Sequence, residues 1–291
     1  MHNILTLATS PHWEDYDLLD SGNRRRLERF GKYTLSRPDP QAIWSPSLSD
    51  DEWKQCDAYY KQEREGKGYW IFNTNLPDKW VIAYKKLRFY ARTTPFKHTG
   101  IFPEQAIHWD WIGERINARA QPTNILNLFA YTGGSTLACA EAGASVTHLD
   151  ASKPAITWAR ENQIVSGLTN KPIRWIPDDA LKFTAREIKR DVKYDGIILD
   201  PPVYGHGPAG ETWDFYKDVP QLLENCRQLL SNSPLFIIIN AYAVSASAVM
   251  LENLLSDMHI EGKIEVGELT LEESKSKRLL STGIYGKWMS S

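Results

Sequence analysis

Carboxylates, glycines and prolines recur along the later two thirds of this 291-residue chain, each just after a short apolar run. Ile125–Ala130 runs into Tyr131-Thr-Gly-Gly134. Ser145–Leu149 ends at Asp150, and Ile173–Pro177 at Asp178-Asp179-Ala180. Tyr194–Leu199 is stopped by Asp200-Pro-Pro-Val-Tyr204, and Leu235–Ile239 by Asn240-Ala-Tyr242. In an open α/β sheet, ligands sit beyond the carboxyl ends of the strands. Gly133 and Gly134 allow a tight turn and close backbone approach to a ligand. A carboxylate at Asp150 is placed to accept hydrogen bonds from ribose hydroxyls. Two prolines after a buried strand make a stiff turn. They hold the Asp200 carboxylate and a backbone carbonyl at the sheet edge, where Tyr204 offers a stacking face. That set (Asp200, Pro201, Pro202, Tyr204) suits an extruded base, with an aromatic face above and an acceptor for an exocyclic amino group in plane. His206 follows as a candidate general base, although a loop histidine is more often simply solvated.

The spacing narrows the cofactor. A dinucleotide site would show G-x-G-x-x-G with an acid about 20 residues further on. Here the turn reads Tyr-Thr-Gly-Gly-Ser-Thr and Asp150 comes sooner. No G-x-x-x-x-G-K-[ST] phosphate loop is present. A nucleoside cofactor without phosphates needs a carboxylate for ribose and one for the adenine edge. S-adenosylmethionine fits, with Asp150 on the ribose and Asp179 on the adenine amino group. No metal-ligand spacing appears, so no metal is expected.

The elements that must position these residues read as alternating strands and helices. Strands are expected at 125–130, 145–149, 173–177, 194–199 and 235–240, with closing strands at 263–269 and 284–289. Helices are expected at 134–143, 153–165, 180–189, 216–230 and 245–258, after one beginning near His108. Ser152 is a plausible N-cap with Pro154 in the first turn. The fold class is α/β, a doubly wound Rossmann-like sheet. Residues 1–95 differ: aromatics and prolines are dense and helical periodicity is poor. They read as a small β-rich domain, leaving 96–291 for the α/β domain.

That first domain carries Arg24-Arg-Arg-Leu-Glu-Arg-Phe-Gly-Lys32, five cations against one acid. Arg24, Arg25, Arg26, Arg29 and Lys32 are candidate phosphate contacts for RNA, with aromatics to stack on bases. The competing reading is a solvated charged face. Lys275, Lys277 and Arg278 present the same choice.

Composition sets outer limits. The formal net charge is −2, so a basic footprint has to be local. Cys56, Cys139 and Cys226 are widely spaced and give no disulfide framework, which favours a reducing, cytoplasmic location. The first 13 residues hold a five-residue apolar run and no basic leader. No segment approaches the roughly 20 apolar residues that span a bilayer.

The runs ILNLFAYTGGSTLACAEAGASVTHLDASKPAITWARENQ, DDALKF, DGIILDPPVYG and FYKDVPQLLENCRQLL together resemble the class I S-adenosylmethionine-dependent methyltransferases of the bacterial 23S rRNA large-subunit group, over roughly residues 95–245. In that group a T-G-x-F-x-x-Q segment lies against the cofactor, matched here by Thr99-Gly-Ile-Phe-Pro-Glu-Gln105. The resemblance implies that Phe102, Gln105, Phe129, Tyr131, Gly133, Asp150, Asp179 and Asp200 border the cofactor. With Thr99, Asn127, Thr132, Gly134, Ala151, Ser152 and Ala180 they make the candidate cofactor-binding set. It also implies an RNA substrate, delivered by the small amino-terminal domain. One departure stands out. Members that methylate C5 of cytosine carry a cysteine after the fifth strand, and Asn240-Ala-Tyr-Ala-Val-Ser-Ala-Ser247 has none. That argues against covalent C5 chemistry and leaves transfer to nitrogen or oxygen, which needs no protein nucleophile. Two alternatives stay open: a methyltransferase acting on a protein or small molecule, and a non-catalytic RNA-binding or ribosome-assembly protein on the same fold.

Overall fold

The computed structural model describes residues 5–64, 67–242 and 244–290. The first four residues of the stretch read as lacking a leader lie outside them. The chain forms two compact units. One is Thr9–Ala106 with Thr270–Ser281. The other is Ile107–Leu269 with the residues up to Ala8 and from Thr282 onward. The expected boundary at 95/96 therefore moves to 106/107, and each unit borrows a segment distant in sequence. Hydrogen bonds explain the shift. Ser10 Oγ donates to the Pro103 carbonyl at 2.7 Å, and the Arg92 and Thr94 region closes on Thr99 and His98 through backbone carbonyls.

In the first unit a five-stranded sheet follows chain order. After the short strand β1 (Thr6–Thr9), it holds β2 (Tyr16–Gly22), β3 (Arg25–Phe30), β4 (Tyr33–Pro38), β5 (Ala58–Arg64) and β6 (Lys67–Phe72). Helix α1 (Asp50–Lys54) is closed by a reciprocal Ser49/Glu52 capping box. β7 (Trp80–Tyr84) and β8 (Leu87–Ala91) form a separate hairpin. The expected β-rich domain is present. Most of its basic run forms strand β3, entered by a two-residue turn with Asn23 and Arg24 both at positive φ.

The second unit holds α2 (Ala106–Asn117), β9 (Asn124–Leu128), α3 (Gly134–Glu141), β10 (Ser145–Asp150), α4 (Lys153–Val165), β11 (Ile173–Pro177) and α5 (Ala180–Lys189). It continues through β12 (Gly196–Leu199), β13 (Tyr204–His206), β14 (Thr212–Asp214), α6 (Phe215–Leu229), β15 (Phe236–Ala241) and α7 (Ala248–Ser256). Two long strands, β16 (Lys263–Glu272) and β17 (Leu279–Met289), complete the chain. The sheet order is β1-β16-β17-β15-β12-β9-β10-β11. The five strands from β15 to β11 are parallel, and β17 runs antiparallel to β15. Strand order reverses between β9 and β12, which makes their carboxyl ends the switch point where such sheets bind ligands.

Alternate residues of each central strand enter opposite cores. Leu126, Leu128, Ile197, Leu199, Ile237 and Ile239 pack with Phe183, Leu222 and Leu251. Ile125, Ile198, Phe236 and Ile238 pack with Ile112 and Cys139. Both faces are covered, so these strands read as unbroken apolar runs. The Ser152 hydroxyl caps α4 as expected, accepting the Ala155 N–H, and the Asp179 carboxylate caps α5 by accepting the Lys182 N–H. No helix among the described residues is long and apolar enough to cross a membrane.

In the first unit, Glu28 is fully buried. It accepts two hydrogen bonds from Arg37 at 2.7 Å and one from the Tyr16 hydroxyl at 2.9 Å, with Arg26 at 3.4 Å. Burial pushes its pKa up, but Arg26 and Arg37 outweigh that and hold it below the usual range. Glu28→Gln strips two buried guanidiniums of their shared counter-charge and is expected to cost about 3–5 kcal/mol in urea denaturation. Since the folded pKa is depressed, the wild type's advantage is full above the unfolded carboxyl pKa. It shrinks as pH falls through the folded value. An equal stability of the two proteins at neutral pH contradicts this account.

Candidate active site

Strand β9 stops at Leu128, two residues short of expectation, because the backbone turns sharply. Phe129 and Tyr131 take φ of 55° and 47°, and Gly133 takes 87°. Non-glycine residues in this region are strained by about 1–3 kcal/mol each. The turn is held from the neighbouring strand end. Asp150 accepts the Tyr131 N–H at 2.7 Å and the Ser152 N–H at 2.8 Å. The Ala130 N–H donates to the Leu149 carbonyl at 3.0 Å. Burial raises the Asp150 pKa, and the two backbone hydrogen bonds partly offset the rise. An ionised carboxylate that already holds the turn keeps acceptor capacity for ribose hydroxyls.

Below the turn lies a buried relay. Asn127 Nδ2 donates to Thr136 Oγ1 at 2.9 Å, and that hydroxyl pairs with His148 Nδ1 at 2.9 Å. Burial drives His148 down to about 3, so the ring is neutral. Asn127, expected among the cofactor contacts, thus spends its side chain beneath the turn and acts as support. Thr132 contributes its carbonyl to Asn162 Nδ2 at 2.9 Å. Gly134 lies against the Trp109 ring, whose nearest atom would be 2.5 Å from an added Cβ. Trp109 Nε1 in turn donates to Ser135 Oγ at 3.1 Å.

Asp150 and Ala151 close β10, and Ser152 opens α4. Asp179 and Ala180 open α5, where Asp179 doubles as the helix cap. Its neighbour Asp178 is tied to Arg186. Asp200 follows β12, its N–H donating to the Leu128 carbonyl at 3.3 Å, which sets it beside the β9 turn. These residues converge on one edge of the sheet. Thr99, Phe102 and Gln105 belong to the other unit. There Phe102 meets the His98 ring at 5.7 Å between centroids, and Gln105 is buried in a short 3-10 helix, Pro103–Gln105.

No local pattern marks the β13–β14 hairpin that follows the two prolines. Tyr204 pairs with Asp214, and Tyr204 is 58% exposed. Trp213 Nε1 donates to the Pro202 carbonyl at 2.7 Å, and the Trp213 ring lies 4.8 Å from Phe129, centroid to centroid. Trp213 thereby ties the Asp-Pro-Pro turn to the strained β9 turn. It stands eleven residues from Pro202 with no motif around it, so no sequence signal pointed to it. His206 is exposed on the same hairpin, edge-on to Tyr204 at 5.3 Å. Asn240, by contrast, is buried at the end of β15 beside His108.

Of the basic run, Arg26 turns inward to Glu28 and Asp39. Arg29 is held by the Gly31 and Glu14 carbonyls. Lys32 lies over the Tyr33 ring. The five cations therefore do not form one exposed face. In the same unit Lys275 pairs with Glu52 and Lys277 with Glu272. Cys139 and Cys226 are buried with their thiols pushed up, away from thiolate chemistry. Among the described residues no cluster of three or more His, Cys, Asp or Glu side chains is arranged to hold a metal.

A parallel sheet with a glycine turn after its first strand, a carboxylate after the second and Asp-Pro-Pro after the fourth defines a nucleoside-cofactor transferase. A model of the S-adenosylmethionine-dependent methyltransferase family matches residues 36–263, and the chain belongs to that family. Its cofactor is S-adenosylmethionine. The solved S-adenosylmethionine-dependent methyltransferase from Agrobacterium tumefaciens is 38% identical, covers 99% of this chain and 94% of its own, and superposes with a TM-score of 0.96. SMU.776, described as a methyltransferase and solved with S-adenosylhomocysteine, covers 94% of this chain and 75% of its own. At 17% identity and a TM-score of 0.73 it shares the fold. Among curated relatives, the ribosomal RNA large subunit methyltransferase K/L of Shewanella frigidimarina is 33% identical over 146 residues, half of this chain. That of Magnetococcus marinus is 30% identical over 176 residues, 59% of the chain. The matches take in 20% and 23% of those proteins, so the chain spans about a fifth of their length.

The close fit at Gly134 yields a test. Gly134→Ala forces the Trp109 ring aside and is expected to cost about 1–3 kcal/mol, the range for overpacking. A thermal midpoint equal to wild type would count against this packing.

Proposed function

We propose that the protein transfers a methyl group from S-adenosylmethionine to a base of large-subunit ribosomal RNA, at a nitrogen or oxygen rather than at C5 of cytosine. The observation that carries this reading is the rigid Asp200-Pro-Pro turn, braced by Trp213, with an exposed Tyr204 alongside. The names of the curated relatives support the RNA substrate. The absence of any cysteine near that edge of the sequence supports the choice of atom.

When bound, S-adenosylmethionine supplies a methyl carbon made electrophilic by its sulfonium. The residues of this chain would do the rest. Asp150 takes the ribose hydroxyls, and Asp179 has one carboxylate oxygen on the Lys182 N–H and one for the adenine amino group. The glycine turn leaves backbone room for the cofactor. Tyr204 stacks on the acceptor base, while Asp200 and a proline carbonyl accept hydrogen bonds from its amino group. That fixes the direction of the acceptor lone pair. Orientation of this kind is worth orders of magnitude in rate without a covalent intermediate. The three thiols, all free and buried, suit a reducing compartment, and we place the protein in the cytoplasm.

Methyl-label transfer to ribosomal RNA from a strain lacking the protein, followed by nucleoside analysis, tests the whole reading. Label on nitrogen or oxygen of one base is expected, and label only on protein, or on C5 of cytosine, would defeat it. Asp200→Asn is expected to reduce transfer at least about ten-fold while retaining cofactor binding, as when a hydrogen bond to a charged group is lost. Asp150 gives a pH test. Its pKa is raised by burial, so it protonates at a higher pH than an ordinary aspartate. Cofactor affinity measured by calorimetry should be constant near neutrality and fall on acidification. The decline should begin above the pH at which an ordinary aspartate takes up its proton. Asp150→Asn should bind weakly at every pH, and a mutant as tight as wild type would remove Asp150 from the site.

A further inference from the structure

The amino-terminal unit contains a cavity of about 590 Å³ whose wall includes Arg25, Trp53, Tyr59, Lys54, Asp50 and Asn73. A volume of that size is typical of small-ligand sites. Arg25 is its chemical centre. The side chain is half-buried, and all its hydrogen bonds go to neutral acceptors: Ser36 Oγ at 3.0 Å, the Ser36 carbonyl at 3.0 Å and the Tyr60 carbonyl at 3.2 Å. No carboxylate pairs with it among the described residues. Burial lowers its pKa, and Cys56 and Tyr59 pull the other way. A guanidinium held in place, partly desolvated and without a counter-charge is a receptor for an anion. Among the described residues four of its five N–H groups are used, which leaves one for a ligand. The acid on the wall, Asp50, is exposed, and Lys54 is exposed and paired with Asp51 at 2.9 Å.

Two aromatic side chains share that wall. Trp53 is anchored by its indole N–H, which donates to Asp20 Oδ2 at 2.9 Å. Its ring is half-buried, as is that of Tyr59. Asn73, whose amide donates to the Cys56 carbonyl at 2.8 Å, adds a polar group with an acceptor to spare. Arg24, exposed at the turn entering β3, stands next to Arg25 in the chain. A cation for phosphate, aromatic faces for a base and an amide for its edge is the composition of a single-stranded nucleotide site.

We propose that this cavity binds one nucleotide of a single-stranded RNA segment, with its phosphate at Arg25 and its base against Trp53 and Tyr59. The proposal rests on the RNA reading above and adds to it a contact on the amino-terminal unit. The chemistry is shared by any phosphorylated nucleoside, so the test has two ligand arms on the full chain. One is fluorescence anisotropy with a labelled, mixed-sequence oligoribonucleotide; the other is calorimetry with AMP. Tyr59→Ala and Trp53→Ala are each expected to weaken oligonucleotide binding about ten-fold, the scale of one lost base stack. Lys54→Glu, on an exposed helix face, should weaken it and flatten its salt dependence. Unchanged affinity in Tyr59→Ala and Lys54→Glu, with unchanged thermal midpoints, overturns the proposal. AMP binding without oligonucleotide binding overturns the RNA assignment. Methyl transfer is scored separately. Transfer to ribosomal RNA at the wild-type rate in these variants sinks the pocket alone, whereas no transfer by the wild type sinks the substrate reading.

Discussion

The hydrogen bond from the Tyr131 N–H to the Asp150 carboxylate is the constraint on which the catalytic unit depends. It joins the ends of two adjacent parallel strands and locks a turn that no sequence of ordinary residues adopts freely. Phe129 and Tyr131 stand in the left-handed region, at a combined cost of a few kcal/mol. The compensation is spread over Asp150, the Ala130–Leu149 bond and the buried Asn127–Thr136–His148 relay. The same carboxylate that fixes the turn is the one we propose for the ribose hydroxyls. On that proposal cofactor affinity and turn geometry draw on one group.

From that turn the site extends sideways. The Phe129 ring, set by its unusual backbone, meets Trp213, and Trp213 holds the Pro202 carbonyl. Strain at the β9 turn and rigidity at the Asp-Pro-Pro turn are thus one packed structure. The sheet supports both because its central strands are buried on both faces and cannot shift without opening two cores.

Much of this was legible in the residues. Short apolar runs, each stopped by a polar or glycine motif, located every central strand. Ser152 marked a helix start that the structure reproduces to the residue. These signals are local, arising from capping and burial along a contiguous stretch. The basic run was not legible in the same way. Five cations in a row of nine look alike in sequence. A β-strand sends alternate side chains to opposite faces, and Glu28 captures Arg26 while Arg25 is left without a carboxylate. The domain boundary misled for a related reason. Ser10, Pro103 and Thr270 lie far apart in the chain and meet only in the fold.

The sequence by itself determined the order of strands and helices and the donor set at the carboxyl edge. The spacing of Gly133, Asp150, Asp179 and Asp200 pointed to a nucleoside cofactor, because those positions follow from strand ends that local hydrophobic patterning defines. Tertiary structure alone decided which side chains are spent on support and which remain for ligands. Asn127 went inward and Trp213 became the brace, while Arg25 was left facing a cavity. Burial and partner choice depend on contacts between residues remote in the chain, and no local pattern encodes them.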